Sequence, residues 1–209
     1  MQKLAEVDVT RRALLLAAAG SVGFAGLIAP APVMALQYEG FEVAETLKLG
    51  GVPLVLNGVG IRAVSILKGY SAALYLSKKT QHVSEVLSNP GPKRVQIRML
   101  LPIGVGAEEF VKAINKGVAR NCGEAERAAV AERVDRLNGI LLSIGKVYRE
   151  DLINLDYLPE SGLVLSVNGR VSGQPLPGAD LYGAVLKVFL GDLPVDKRLK
   201  AGMLGLPVT

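Results

Sequence analysis

LGGVPLVLNGVGIRAVSILKGYSAALYL, residues 49–76, is a series of short apolar runs punctuated by glycine, with Arg62 and Lys68 its only charged residues. Apolar runs of this length bounded by Gly and Asn read as strands. With the run just before it, the stretch predicts strands over 43–49, 52–56, 61–67 and 70–76. Gly50-Gly51 and Asn57-Gly58 supply the positive backbone angles that tight hairpins need, so the expected local architecture is an antiparallel meander. Arg62 is the odd residue in it. A guanidinium stays charged at any physiological pH, so among apolar neighbours it is either exposed at a strand end or paired with an anion in a pocket. Spacing puts Arg62 on one strand face with Val64 and Ile66, two residues past Gly60. On spacing alone, a strand-end arginine whose head reaches water or a backbone carbonyl explains it better.

Downstream, a short polar helix over 83–87 and the breaker Asn89-Pro90-Gly91-Pro92 lead into residues 94–101, where Val95, Ile97 and Met99 alternate with Gln96, Arg98 and Leu100. Period two predicts a fifth strand. Residues 107–121 switch to helical spacing, with Phe110, Ile114 and Val118 four apart and Glu108 and Glu109 in the first turn, where the helix dipole favours them. Residues 124–142 repeat the behaviour through Val130, Val134, Leu137 and Leu141. Strands are expected again over 151–158, 163–167 and 170–172, with turns at 159–162 and at Asn168-Gly169. Helices are expected over 179–190, closed by Gly191, and over 196–203. Strands, helices, strands, helices without βαβ repetition describe an α+β fold, an antiparallel sheet with helices on one face. No repeat period or low-complexity tract appears.

Upstream, Arg11 and Arg12 precede an uncharged Ala/Leu/Gly-rich run over 13–29, then Pro30, Pro32 and Val33-Met34-Ala35. This predicts an export signal over 1–35, cut after Ala35, and a periplasmic or otherwise exported protein. The order Thr10-Arg11-Arg12-Ala13-Leu14-Leu15 fits the twin-arginine type. As a permanent membrane anchor the run is slightly short, so membrane contact is expected only through the signal before cleavage. Residues 36–209 then form one domain.

The whole chain carries +5, and removing Lys3, Arg11 and Arg12 with Glu6 and Asp8 leaves +4. A mild excess spread along an exported chain argues against nucleic acid and slightly favours anionic ligands. Cys122 is the only cysteine, which excludes an internal disulfide; at the end of an apolar helical stripe it reads as a packed thiol. His82 is the only histidine. No grouping at metal-ligand spacing supports a metal site, a Ser-His-Asp hydrolase would have to use that one imidazole, and no cofactor is expected.

Other candidates carry plain alternatives. Tyr70 alternates with Ala72 and Leu74, which leave space beside it, or it is a core-edge tyrosine with a wet hydroxyl. Arg98 is a second anion ligand or part of a solvated strand face. Phe110 belongs to a complete helical stripe and so to core packing. Asn154 and Asp156, two apart, are expected on a solvent-facing strand.

The segment Gly60-Ile61-Arg62-Ala63-Val64-Ser65-Ile66, followed by Ala72-Ala73-Leu74-Tyr75-Leu76, Asn168-Gly169, Gly178-Ala179-Asp180-Leu181-Tyr182 and Leu190-Gly191-Asp192, resembles the chalcone isomerase-like family in its bacterial exported branch, over residues 41–205. The resemblance implies an open-faced β-sandwich, a large antiparallel sheet under a layer of helices with a ligand cleft between them. In the family's enzymes a chalcone phenolate adds to its own enone, and the chemistry needs a cation in a dry pocket. Arg62 matches the catalytic arginine. The rest departs: Tyr70 stands for a threonine, Phe110 (or Glu109, one residue away) for the active-site tyrosine, Gly117 for an asparagine and Val188 for a threonine or serine. Losing a hydroxyl and an amide leaves the water and ketone contacts unsupported.

The resemblance also includes non-catalytic members that bind fatty acids. The leading expectation is therefore a binding protein for a small hydrophobic, anionic ligand such as a fatty acid, in a cleft anchored by Arg62 with Tyr70, Arg98, Phe110 and Val188. The alternatives are an isomerase (intramolecular lyase) that cyclises a chalcone-like phenolic enone, and an interaction protein whose cleft is plugged by Tyr70 and Phe110.

Overall fold

The computed structural model describes residues 35–64 and 67–208. The predicted export signal lies outside the described residues except for Ala35. A hairpin of β1 (Ala35–Tyr38) and β2 (Phe41–Ala44) comes first, followed by β3 (Thr46–Leu49), β4 (Val52–Val64) and β5 (Leu67–Leu76). Helix α1 (Val83–Ser88), strand β6 (Lys93–Met99) and the short β7 (Val105–Gly106) lead to helices α2 (Ala107–Asn121) and α3 (Glu124–Ile144). The short β8 (Lys146–Val147) precedes β9 (Leu152–Leu158), β10 (Gly162–Val167) and β11 (Arg170–Leu176), and the chain ends with α4 (Ala179–Leu190) and α5 (Lys197–Met203).

Seven strands form one antiparallel sheet in the order β11-β10-β9-β6-β5-β4-β3. Alternation decides what each face meets. Ala72 and Leu74, Val95 and Ile97, and Ile153 and Leu155 enter the core with the apolar stripes of α2, α3 and α4. The expected α+β sheet with helices on one face is what forms. The other face is not bare: Ala73 and Tyr75 pack with Val43, Leu54 and Val59 under the β1–β2 hairpin, and the Tyr75 hydroxyl donates to the Ala44 carbonyl at 2.9 Å.

Three expectations about this sheet are corrected. The strands expected over 52–56 and 61–67 are one strand, and Asn57-Gly58 is no hairpin turn but a break of register inside it. Asn57 is buried, its amide donating to the Met203 carbonyl at 2.9 Å and its oxygen accepting from the Thr80 N–H at 2.7 Å. The glycines there serve a close approach instead. A Cβ on Gly58 would collide with the Gly202 carbonyl, and one on Gly60 would lie 2.5 Å from the Leu199 carbonyl oxygen, so α5 rests directly on the β4 backbone.

The strand expected over 43–49 is divided at Glu45, whose carbonyl accepts from Leu56 N–H at 2.8 Å, so that β2 can leave the sheet and pair with β1. Asn154 and Asp156 do lie away from the helices, yet both are buried, at 6% exposure each. Their cross-strand partners cover them. Arg94 holds Asp156 through two hydrogen bonds of 2.6 and 2.7 Å, and Gln96 and Ser166 flank Asn154.

Cys122 is buried, as expected of a packed thiol, and burial raises its pKa. At the first residue of β6, buried Lys93 donates to the carbonyls of Val86 and Asn89 at 3.2 and 2.5 Å, over the ring of Tyr157. Burial lowers its pKa to about 8. That polar plug closes the end of β6 opposite to Met99.

Candidate functional site

Arg62 of β4 and Tyr70 of β5 are directly opposed in the sheet register, and Tyr70 is in turn opposed to Met99 of β6. Opposed residues share a face, so both point towards the helices. The register breaks again just past Arg62, and such bulges turn a side chain away from the regular pleat. The Arg62 guanidinium lies 5.7 Å from the centre of the Tyr70 ring, within cation–π range. Tyr70 is buried and its hydroxyl is pushed up to about 12; burial is the largest cause and the Arg62 charge opposes it. At neutral pH the phenol is therefore a neutral donor. Among the described residues no carboxylate forms an ion pair with Arg62, which is half-buried.

The pair stands at one end of a cavity of about 240 Å³ between the sheet and the helices. Its floor is Ile97 and Met99 of β6 with Ile153 and Leu155 of β9, and its roof includes Ile114, Leu137, Leu141 and Phe189. These are the same alternating and helical positions that build the core, left short of complete filling. Apart from Arg62, the Tyr70 hydroxyl and Glu109, the lining side chains are apolar, and Glu109 is exposed and held by Lys112 at 2.8 Å. Such a hole can take an apolar chain and hold an anionic head at Arg62.

Four of the five residues expected at the site line this cavity: Arg62, Tyr70, Phe110 and Val188. Tyr70 and Phe110 form walls rather than a plug, so the expectation of a cleft closed by those two rings is not met. Arg98 is the correction. Alternation along β6 sends Ile97 and Met99 to the cavity and Arg98 to the opposite face. There it donates to Glu150 at 2.7 Å and lies 5.5 Å from the ring centre of Phe41. His82 is exposed at the start of α1 and takes no part in the cavity lining.

Gly117 lines a smaller neighbouring pocket of about 110 Å³, which shares Arg62, Ala113 and Val195 with the cavity. Lys116 and Arg120, which the sequence reading passed over, border that pocket too. Their four-residue spacing on one helix was the available signal. Val105, in the two-residue β7, and Val195, between α4 and α5, were also missed, because neither lies in an element long enough to show a periodicity.

The chalcone isomerase-like family model matches residues 35–205. No curated protein matches the sequence. Among solved structures, the fatty-acid binding protein AtFAP1 of Arabidopsis thaliana is similar in fold, with a TM-score of 0.59 and 15% identity over 82% of this chain and 96% of that one. It shares the antiparallel sheet under helices described above. Because the family match spans nearly all the described residues, the chain belongs to the chalcone isomerase-like family.

Proposed function

We propose that this protein binds a small hydrophobic anion, such as a fatty acid, without transforming it, as an exported member of the family. The observation that carries the reading is Arg62, a cation at the rim of an apolar cavity with no carboxylate partner among the described residues. At ~30 Å³ for each water-sized group, 240 Å³ holds about eight methylenes. Burying them contributes roughly 6 kcal/mol, near the low end of the cost of association. The head contacts therefore decide whether binding is measurable, and a charge-assisted hydrogen bond of about 1.5–3 kcal/mol from Arg62 is of the right size.

The likeness to a fatty-acid binding protein supports the same reading. Cyclisation of a chalcone has weaker support, since Phe110, Gly117 and Val188 offer no side-chain hydroxyl or amide. Export rests on the sequence, on Arg11-Arg12 before the apolar run over 13–29.

Native mass spectrometry of the purified protein, before and after lipid extraction, tests the binding. The expected result is a bound acid that is lost in Arg62→Ala. A wild-type protein that folds, arrives empty and takes up no octanoate or decanoate would sink the reading.

A further inference from the structure

The pocket next to the apolar cavity differs from it in charge. Its volume of about 110 Å³ is bordered by Arg62 from the sheet and by Lys116 and Arg120 from α2, with Leu193, Pro194 and Val195 on the far side. Three cations face it and no carboxylate lines it. Asp192 and Asp196 bracket the 193–195 segment without lining the pocket, and Asp196 is engaged in capping α5 through the N–H groups of Arg198 and Leu199. On α2, Glu109 lies a turn or more away and is held by Lys112. Among the described residues neither Lys116 nor Arg120 forms an ion pair. The dipole of α2 accounts for an arginine in its last turn, but not for Lys116 one turn earlier on the same side.

A carboxylate carries one charge and two oxygens, which Arg62 and the Tyr70 hydroxyl already match. Three cations around a space for three or four water-sized groups suit a larger, doubly charged head. A phosphate monoester carries close to two charges at neutral pH and three acceptor oxygens, and guanidinium and ammonium groups are its usual partners.

Resting on the binding reading above, we infer that the preferred ligand is an amphiphile with a phosphate monoester head, its chain in the apolar cavity and its phosphate between Arg62, Lys116 and Arg120. Arg62 stands at the junction because it lines both spaces.

Isothermal titration of the full chain with octyl phosphate, octanoate and inorganic phosphate tests this at pH 8, in wild type and in Lys116→Gln/Arg120→Gln. Both residues are exposed, so the variant is expected to fold. Octyl phosphate should bind about tenfold more tightly than octanoate, and the variant should bring that ratio towards one. The preference should also fade as pH drops through the second phosphate ionisation near ~6. Equal affinities in wild type, or an unchanged ratio in the variant, overturn the inference and leave the fatty-acid reading standing. Inorganic phosphate binding as tightly as octyl phosphate also overturns it, since the chain would then contribute nothing. Failure of both amphiphiles sinks the two readings together.

Discussion

A Cβ placed on Gly117 would lie 2.5 Å from Cγ1 of Val188. Helices α2 and α4 therefore meet so closely that position 117 has no room for a side chain. By the resemblance, these two positions stand where the family's enzymes carry an amide and a hydroxyl; here they are in direct packing contact.

Gly117→Asn is accordingly expected to lower stability by about 1–3 kcal/mol through overpacking, measured by chemical denaturation. Part of the loss should return in the double variant with Val188→Ala, because that substitution removes the two nearest atoms. A neutral Gly117→Asn would mean that the helices do not meet as described.

Arg62→Ala should weaken octanoate binding by roughly 10- to 100-fold, the equivalent of one charge-assisted hydrogen bond. Tyr70→Phe should cost less, about 1 kcal/mol, because it removes one neutral donor. Titration calorimetry reads both. Unchanged affinity in Arg62→Ala would place the anion elsewhere.

Lys93 gives a pH dependence with a definite sign. Burial holds its folded pKa at about 8, below the ordinary 10.5. Below pH 8 the lysine is charged in both states and the cost of burying that charge is fully present. As pH rises from 8 towards 10.5, the unfolded chain holds more protons than the folded one, so stability rises. Tyr70 and Tyr75, both pushed up to about 12 by burial, act in the opposite direction only above pH 10. Wild type should therefore gain stability relative to Lys93→Met between pH 8 and 9.5, by urea denaturation. Parallel curves would refute the assignment.

The proposed export makes its own prediction. In a bacterial host with a working twin-arginine route, N-terminal sequencing of the exported protein should begin at Leu36. Replacing Arg11 and Arg12 together by lysine should leave uncleaved precursor in the cytoplasm. Normal export of that variant would point to the general secretory route.

Much of the fold is written in local periodicity. Alternation at Val95, Ile97 and Met99 and the four-residue stripes of α2 and α3 mark strand and helix, because side-chain direction follows directly from backbone geometry. Asn57-Gly58 shows where local reading fails. The pair satisfies every hairpin rule, yet its partner is α5, about 140 residues on, and a packing contact at that distance leaves no trace in the neighbouring residues. Asn154 and Asp156 fail similarly: alternation gave their face correctly, but only the cross-strand register placed Arg94 and Gln96 over them.

The two strand arginines mark the boundary between the levels. Sequence by itself determined an antiparallel sheet with helices on one face, and singled out Arg62 as a charge among apolar residues. It kept Arg98 as a second anion ligand although its face, shared with Gln96, also fitted a solvated strand. Tertiary structure separated them: the β4–β5 register turned Arg62 to the helix side beside Tyr70, and the pleat of β6 turned Arg98 to the other face and Glu150. Whether a face is filled or hollow depends on how helices far away in the chain seat against it. Near Arg62, the helices leave the cavity open above the sheet, and α2 with residues 193–195 borders the basic pocket.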